Sequence, residues 1–184
     1  LPPTTNHLQP KTQSITHFHG HTRAFLKIQD GCDNFCSYCK VPLVRGRPTS
    51  RKIEEIIPEA QNLAKNGFQE IVLCGICLGS FGKGLYPAVN LTDLIRRLEK
   101  IEGILRIRLS SIEANDVDDR LIKYMALSRK LCRHLHIPLQ SGDDQILKKM
   151  NRRYTAREYL NLIKKIKKSI PDIAITTDVL VGFP

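Results

Sequence analysis

Apolar positions along the chain follow two rhythms that alternate. Short, β-branched-rich runs occur at AFLKI (24–28), EIVLC (70–74), ILRIRLSS (104–111), HLHIPL (134–139) and IAITTDVLVG (173–182), and these predict strands. Between them, apolar residues recur at helical spacing over 51–67, 90–103, 116–127, 141–150 and 155–170. Ser50 is the predicted N-cap of the first helix, Gly67 and Gly103 its stop and the next one's, Gln140 and Ser141 a cap for the fourth, and Pro171 the end of the fifth. Strand and helix alternating five times predict an α/β fold with a parallel sheet, curled into a partial (βα) barrel or laid out as a doubly wound sheet. The pattern stops at Gly182-Phe183-Pro184, just past a strand with no covering helix, so 21–184 is expected to be a core domain incomplete after its fifth strand. Residues 1–20 carry three prolines and no apolar period, and are expected to be a linker from a preceding domain. His17, His19 and His21 alternate near its end without a carboxylate or thiol beside them, too little for a metal site.

Composition narrows the class. With 184 residues, 41% hydrophobic and 26% charged, the chain can build one ordinary globular core. No apolar run approaches the roughly 20 residues of a membrane span, so no membrane partner is expected. Six cysteines without a secretory leader point to a reducing cytoplasm. Lys and Arg number 29 against 18 Asp and Glu, a net charge of +11 that favours a polyanionic partner, nucleic acid first. The basic residues concentrate late, at Lys148, Lys149, Arg152, Arg153 and then Lys164, Lys165, Lys167 and Lys168, the last four at the spacing of a wet helix face.

The candidate chemistry is a thiol cluster. Cys32, Cys36 and Cys39 are spaced C-x3-C-x2-C in DGCDNFCSYCKVPLVRG, three thiolates with no obvious fourth. A cubane iron–sulfur cluster takes one thiolate per iron, so three would leave one iron open for a small molecule. Two other readings stay open. Cys36 and Cys39 with Cys74 and Cys77 resemble a zinc ribbon, but 34 residues separate the pairs, beyond the usual roughly 15–20, and Cys32 is left unexplained. A disulfide framework suits short secreted chains instead. Cys74 and Cys77 are expected to be small buried thiols.

In a βα barrel the working site lies at the C-terminal ends of the strands. The three cysteines follow the first predicted strand. Gly75, Gly79, Gly82 and Gly84 follow the second, Ser110, Ser111 and Glu113 the third, and Gln140, Ser141 and Gly142 the fourth. Asp178 sits within the fifth, where a buried carboxylate needs a partner.

These strings carry a family resemblance. The cysteine triplet with Tyr38 before its last member resembles the radical S-adenosylmethionine signature. GHTRAFLKIQDGC, EIVLCGICLGSFGKGL, RIRLSSIE, HLHIPLQSGDDQILKKMNRRYT and AITTDVLVGFP resemble the radical-SAM methylthiotransferases over 20–184, nearest the branch acting on threonylcarbamoyladenosine in tRNA. The resemblance implies a radical-SAM barrel in which Cys32, Cys36 and Cys39 hold a [4Fe-4S] cluster whose open iron binds S-adenosylmethionine. It implies reductive cleavage to a 5′-deoxyadenosyl radical and a methylthio group installed at C2 of the modified adenosine beside the anticodon. Tyr38 is implied to contact the adenine, Gly75 to line the methionine pocket, and Ser111, Glu113, Gln140 and Asp178 to bind cofactor. Arg152 and Arg153 are implied substrate contacts. A second [4Fe-4S] cluster is implied in a preceding domain, with a small RNA-binding domain following. The implied partners are a tRNA anticodon loop and an electron donor such as flavodoxin or ferredoxin. Cys77 departs from the His or Asn that relatives carry there. The neighbouring alternative is a methylthiotransferase for isopentenyladenosine tRNA or a ribosomal protein. The alternative of another class is a zinc-stabilised, non-catalytic RNA-binding module.

Overall fold

A computed structural model describes Phe18 and residues 20–184. Five parallel strands form its frame: β1 (Ala24–Lys27), β4 (Glu70–Cys74), β5 (Arg106–Leu109), β6 (His134–His136) and β7 (Ala174–Thr176). β1, β4 and β5 make one ladder, with Ala24 opposite Ile71 and Glu70 opposite Arg106. β6 and β7 make another, with His134 opposite Ala174. A bridge between Ile107 and Leu131 and a bond from Ile112 N–H to the His136 carbonyl join the two. Strand order therefore follows chain order, as a barrel wall does. A doubly wound sheet would reverse at a switch point.

Helices α2 (Ile53–Lys65), α3 (Leu91–Leu98), α4 (Asp119–Leu127) and α6 (Ala156–Ser169) separate successive strands. Their apolar stripes meet the buried side of each strand. Ala24, Leu26, Ile107 and Leu109 point into this layer and are shut from water with Ile56, Leu63, Leu94, Leu98, Met125 and Ile166. Burying one such side chain contributes about 1.5–3 kcal/mol, so the helix layer outweighs the short ladders in holding the sheet. Phe25, Lys27 and Arg106 stand on the opposite, exposed side.

Local chemistry sets the helix ends. Asn90 with Asp93 and Thr155 with Glu158 form reciprocal capping boxes on α3 and α6. Asp118 caps α4 and Asp143 caps α5 (Asp144–Lys149). Gly67 and Gly103 take positive φ just past their helices, as expected of stops.

Several predicted boundaries are corrected. Ser50 does not cap α2, whose N-cap is Lys52. Ser50 instead pairs in a two-residue antiparallel ladder of β2 (Gln29–Asp30) with β3 (Thr49–Ser50), and its hydroxyl accepts from Gly82 N–H. Asp143, not Gln140 or Ser141, caps α5. The strand predicted over 134–139 ends at His136: past the bond from Ile137 N–H to the Thr176 carbonyl, the next donor on that side, Leu139 N–H, goes to the Thr177 hydroxyl. The strand predicted over 173–182 correspondingly ends at Thr176. The short helix α1 (Val41–Arg45) carries no long apolar period and was not foreseen. Most of the predicted linker, with His17 and His19, lies outside the described residues. Phe18 within it packs edge-on against Phe25 and Phe68, each at 5.9 Å between ring centroids. The core thus reaches back to that residue.

Candidate metal centre

The three cysteines sit on one loop closed at its base. The β2–β3 ladder is its stem. Above it, Cys32 N–H donates to the Gly46 carbonyl at 3.1 Å. Gly31 has φ +74°, and a Cβ there would fall 2.2 Å from the Arg47 carbonyl oxygen, so the stem closes only around glycine. At the crown, Cys39 N–H donates to the Cys36 carbonyl at 2.9 Å, and Asn34 N–H donates to the Cys32 sulfur at 3.4 Å. All three cysteines are free and half-buried. Burial pushes the Cys32 thiol up, the opposite of what a ligand needs, but a coordinated metal deprotonates a thiol outright.

A second segment grips this loop from across the sheet. Residues 149–153, at the end of α5, face residues 33–37. Ser37 donates through its N–H to the Met150 carbonyl at 3.1 Å and through its hydroxyl to the Lys149 carbonyl at 2.9 Å. The Asn151 amide donates to the Phe35 carbonyl at 2.9 Å and the Asn34 carbonyl at 3.2 Å. Arg153 donates to the Asp33 carbonyl at 3.0 Å. Asn151 itself has φ 57°, a left-handed conformation that asparagine tolerates better than most residues.

Between the two segments lies an ion pair. The Arg152 side chain is 3% exposed and its guanidinium makes a fork with Glu113, Nη1 donating to Oε1 at 3.2 Å and Nη2 to Oε2. The same Nη1 lies 3.5 Å from the Cys36 sulfur. Burial works against the Arg152 charge, and Glu113 outweighs it, pushing Arg152 up from the ordinary arginine range. Burial also pushes the Glu113 carboxyl up, with Arg152 pulling the other way. Cys36, Glu113, Asp116, Arg152 and Lys83 line a small cavity of ≈ 80 Å³ beside the loop.

Gln29, buried to 1% exposure, ties the cysteine loop to the end of β4. Its amide donates to the Asp30 and Gly31 carbonyls, and its Oε1 accepts from Cys77 N–H at 2.8 Å. Gly75 packs on this side chain, where a Cβ would meet Oε1 at 2.9 Å. Its smallness thus serves Gln29. Cys77 is buried as expected, its sulfur accepting from the Ser80 hydroxyl at 3.1 Å and lying 3.6 Å from the Asp116 carboxylate. Burial pushes its thiol up to about 12, so Cys77 is a neutral thiol rather than a waiting thiolate. Cys74 is half-buried, not fully buried.

The other predicted site residues scatter. Tyr38 is partly exposed, its ring edge-on to Phe183 at 6.3 Å, and burial of its hydroxyl pushes the phenol up to about 12. Ser111 is exposed and lines no part of the small cavity. Gln140 has φ 65° and works through its backbone, accepting from Leu180 N–H at 2.8 Å and donating to the Asp178 carbonyl at 2.9 Å. Asp178 is neither in a strand nor buried. Its side chain is 66% exposed and meets His136 Nε2 at 3.1 Å. Arg152, a predicted substrate contact, donates to Glu113 and lies beside the Cys36 sulfur. Asn34 and Asn151 escape sequence reasoning, since nothing local marks an asparagine whose carbonyl partner is over a hundred residues away.

Among the described residues, no group of three or more His, Cys, Asp or Glu side chains converges on one ion. A single zinc needs sulfurs drawn around one point at about 2.3 Å. A cubane gives each thiolate its own iron and spaces them further apart. Three soft thiolates on one pinned loop fit the cluster better than a lone zinc.

A parallel (βα) sheet with a three-cysteine loop after its first strand defines the class: the chain belongs to the radical SAM superfamily, whose family model matches residues 26–184. Among curated relatives it is 48% identical over 163 residues to the tRNA-2-methylthio-N(6)-dimethylallyladenosine synthase of Clostridium tetani. The match covers 89% of this chain and 36% of that protein. It is 51% identical over 161 residues to the enzyme of the same name from Caldicellulosiruptor saccharolyticus, covering 88% of this chain and 34% of the relative. The chain therefore spans about a third of these relatives. Among solved structures, the radical S-adenosylmethionine methyltransferase TsrM from Kitasatospora setae, with cobalamin and a [4Fe-4S] cluster bound, superposes with TM-score 0.66 at 18% identity, over 88% of this chain and 31% of that one. The cobalamin-dependent radical enzyme OxsB gives 0.68 at 16%, over 86% and 24%. These two likenesses concern the fold.

Proposed function

We propose that residues 21–184 are the cofactor-binding core of a tRNA methylthiotransferase that modifies C2 of dimethylallyladenosine, also called isopentenyladenosine, beside the anticodon. The observation that carries this is the loop of Cys32, Cys36 and Cys39, closed by Gly31 and held by residues 149–153 at the C-terminal ends of the strands. The resemblance of short strings favours threonylcarbamoyladenosine. The relatives matched at 46–51% over nearly the whole chain are named for the dimethylallyl substrate, which favours that base instead.

In this reading the three thiolates hold a [4Fe-4S] cluster, and Asn34 N–H steadies the Cys32 sulfur. Cluster and S-adenosylmethionine together supply hydrogen abstraction at an aromatic C–H that no acid–base pair deprotonates at useful rates. Glu113 and Arg152 fix the wall beside Cys36, and the closed loop keeps water from its base. Tyr38, with its half-exposed ring, is the candidate for stacking on the cofactor's adenine. A second cluster belongs to a segment outside residues 1–184, so this chain by itself binds cofactor and cleaves it without completing sulfur transfer. A small one-electron carrier of the flavodoxin or ferredoxin kind supplies the electron. The net charge of +11 suits an anticodon loop, whose unpaired bases are open to reading, and binding should weaken steeply with salt.

Mass spectrometry of tRNA from cells lacking the gene tests the substrate. Loss of the methylthio group from dimethylallyladenosine alone supports the proposal. Loss from threonylcarbamoyladenosine restores the other branch, and unchanged tRNA overturns both.

A further inference from the structure

Arg152 is placed more tightly than a substrate contact needs to be. Its side chain is 3% exposed, and the guanidinium uses each of its three nitrogens. Nε donates to the Tyr154 hydroxyl at 3.1 Å, Nη2 to Glu113, and Nη1 is shared between Glu113 at 3.2 Å and the Cys36 sulfur at 3.5 Å. The Tyr154 ring lies beneath it, 5.0 Å from centroid to guanidinium carbon. Tyr154 is fixed in turn, its hydroxyl 2.9 Å from the Pro138 and Leu139 carbonyls. The guanidinium nitrogens and the Tyr154 hydroxyl each have a partner here, and the cation cannot shed its proton.

We infer that Arg152, clamped by Glu113 and Tyr154, is a charged hydrogen-bond donor to the Cys36 sulfur that raises the reduction potential of the cluster bound there. The inference rests on the proposed cluster at Cys32, Cys36 and Cys39. Reduction adds one electron, spread over iron and sulfur, and a fixed buried cation beside one ligand sulfur favours that added charge. Hydrogen bonds to the sulfurs, net charge and solvent exposure are the protein's means of setting such potentials. Glu113 has two effects of opposite sign: it holds the cation in place, and its own negative charge offsets part of the cation's field. Arg152 is thus a positioning residue that acts through Cys36. The same buried fork explains why a basic residue in this otherwise exposed, basic stretch is withdrawn from solvent.

The test uses residues 1–184 with the cluster reconstituted anaerobically. Iron content, the electron paramagnetic resonance signal and the midpoint potential are measured for the wild type, Arg152→Met, Arg152→Lys and Glu113→Gln. Arg152→Met should lower the reduced-to-oxidised ratio at a fixed poise about tenfold, which is about 59 mV for one electron. Arg152→Lys, which keeps the charge but not the fork, should recover part of that. Glu113→Gln should shift the potential the opposite way, because it removes the offsetting negative charge. A merely structural pair predicts shifts of the same sign, or none. Midpoints that coincide in all four loaded proteins overturn the inference and leave the cluster intact. If Arg152→Met takes up no iron, Glu113→Gln decides: a raised potential supports the inference, and a flat or lowered one overturns it. A wild type that binds no iron overturns the proposed function, and this inference with it.

Discussion

Glu70 lies at the start of β4 and Glu113 just past the end of β5, and each faces arginine across the sheet. Glu70 accepts from Arg106 Nε at 2.8 Å and Arg108 Nε at 2.9 Å, with Arg23 at 3.7 Å. Burial raises the Glu70 carboxyl, but the paired guanidiniums outweigh it and hold it below the usual carboxylate range. Glu113 has one arginine where Glu70 has three, and for it burial wins. Arg106 is 56% exposed and Arg152 only 3%. The floor cluster is therefore a set of partly solvated cations gathered round one buried anion, with the Cys132 thiol near enough to feel Arg108 and Glu70. The upper pair is one-to-one, its arginine shut from water and its carboxylate 27% exposed, and the Cys36 sulfur is within reach of its cation. Two carboxylate–arginine contacts that look alike as sequence thus differ in what lies behind the arginine.

That contrast can be broken by substitution. Glu113→Ala leaves the Arg152 charge buried and unpaired, and should cost about 3–5 kcal/mol of stability in the metal-free, reduced chain. A loss below about 1 kcal/mol in denaturant titration would show that water reaches Arg152. Glu70→Gln should cost less, about 1–2 kcal/mol at neutral pH, because its arginines are partly solvated. The two sites should also slope oppositely with pH. The Glu70 pKa is depressed by folding, so its stabilisation is present above the unfolded value near 4.3 and is lost as pH falls through the lower folded value. The wild type's advantage over Glu70→Gln should close over that acid range. The Glu113 pKa is raised by folding, so its penalty is absent below the unfolded value and grows as pH rises through the folded one. Glu113→Gln should therefore gain on the wild type with rising pH. Parallel slopes for the two variants would erase the distinction drawn here.

Smaller effects probe the grip on the cysteine loop. Asn151→Gly removes two hydrogen bonds to the Asn34 and Phe35 carbonyls while accepting the positive φ, at about 1–2 kcal/mol. Amide exchange should quicken at residues 33–37 and not in β4 or β5. Uniform quickening would mean that the contact stabilises the whole fold instead of the loop. Asp178→Asn should change stability by no more than about 0.5 kcal/mol, since its contact with His136 is largely exposed.

Much of this architecture was legible in the chain. Ala24, Leu26, Ile107 and Leu109 alternate with exposed neighbours, and the stripes of α3 and α6 repeat at helical spacing, so element type and parallel pairing follow from pattern. Strand ends did not follow, because they depend on partners: past Ile137 the next donor toward β7, Leu139 N–H, turns to the Thr177 hydroxyl, and the two strands stop together. The cysteine triplet was legible because its three members lie within eight residues. The Arg152 fork was not, because Glu113 and Cys36 are 39 and 116 positions away. Asp178 was misread for a related reason. An apolar-looking run suggested burial, but burial is settled by what covers a strand. The closeness of Gln29 to Gly75 was not legible, because the two lie 46 positions apart in the chain.

The central claim is that three thiolates on one loop hold a cluster with an iron left open. Iron and acid-labile sulfide, measured per chain after anaerobic reconstitution of the wild type, Cys36→Ala and Cys77→Ala, test it most directly. About four of each in the wild type and Cys77→Ala, with a resonance signal that shifts when S-adenosylmethionine is added, and a collapse of both contents in Cys36→Ala, is the predicted result. One zinc and no iron in the wild type, or full retention of iron by Cys36→Ala, would contradict it.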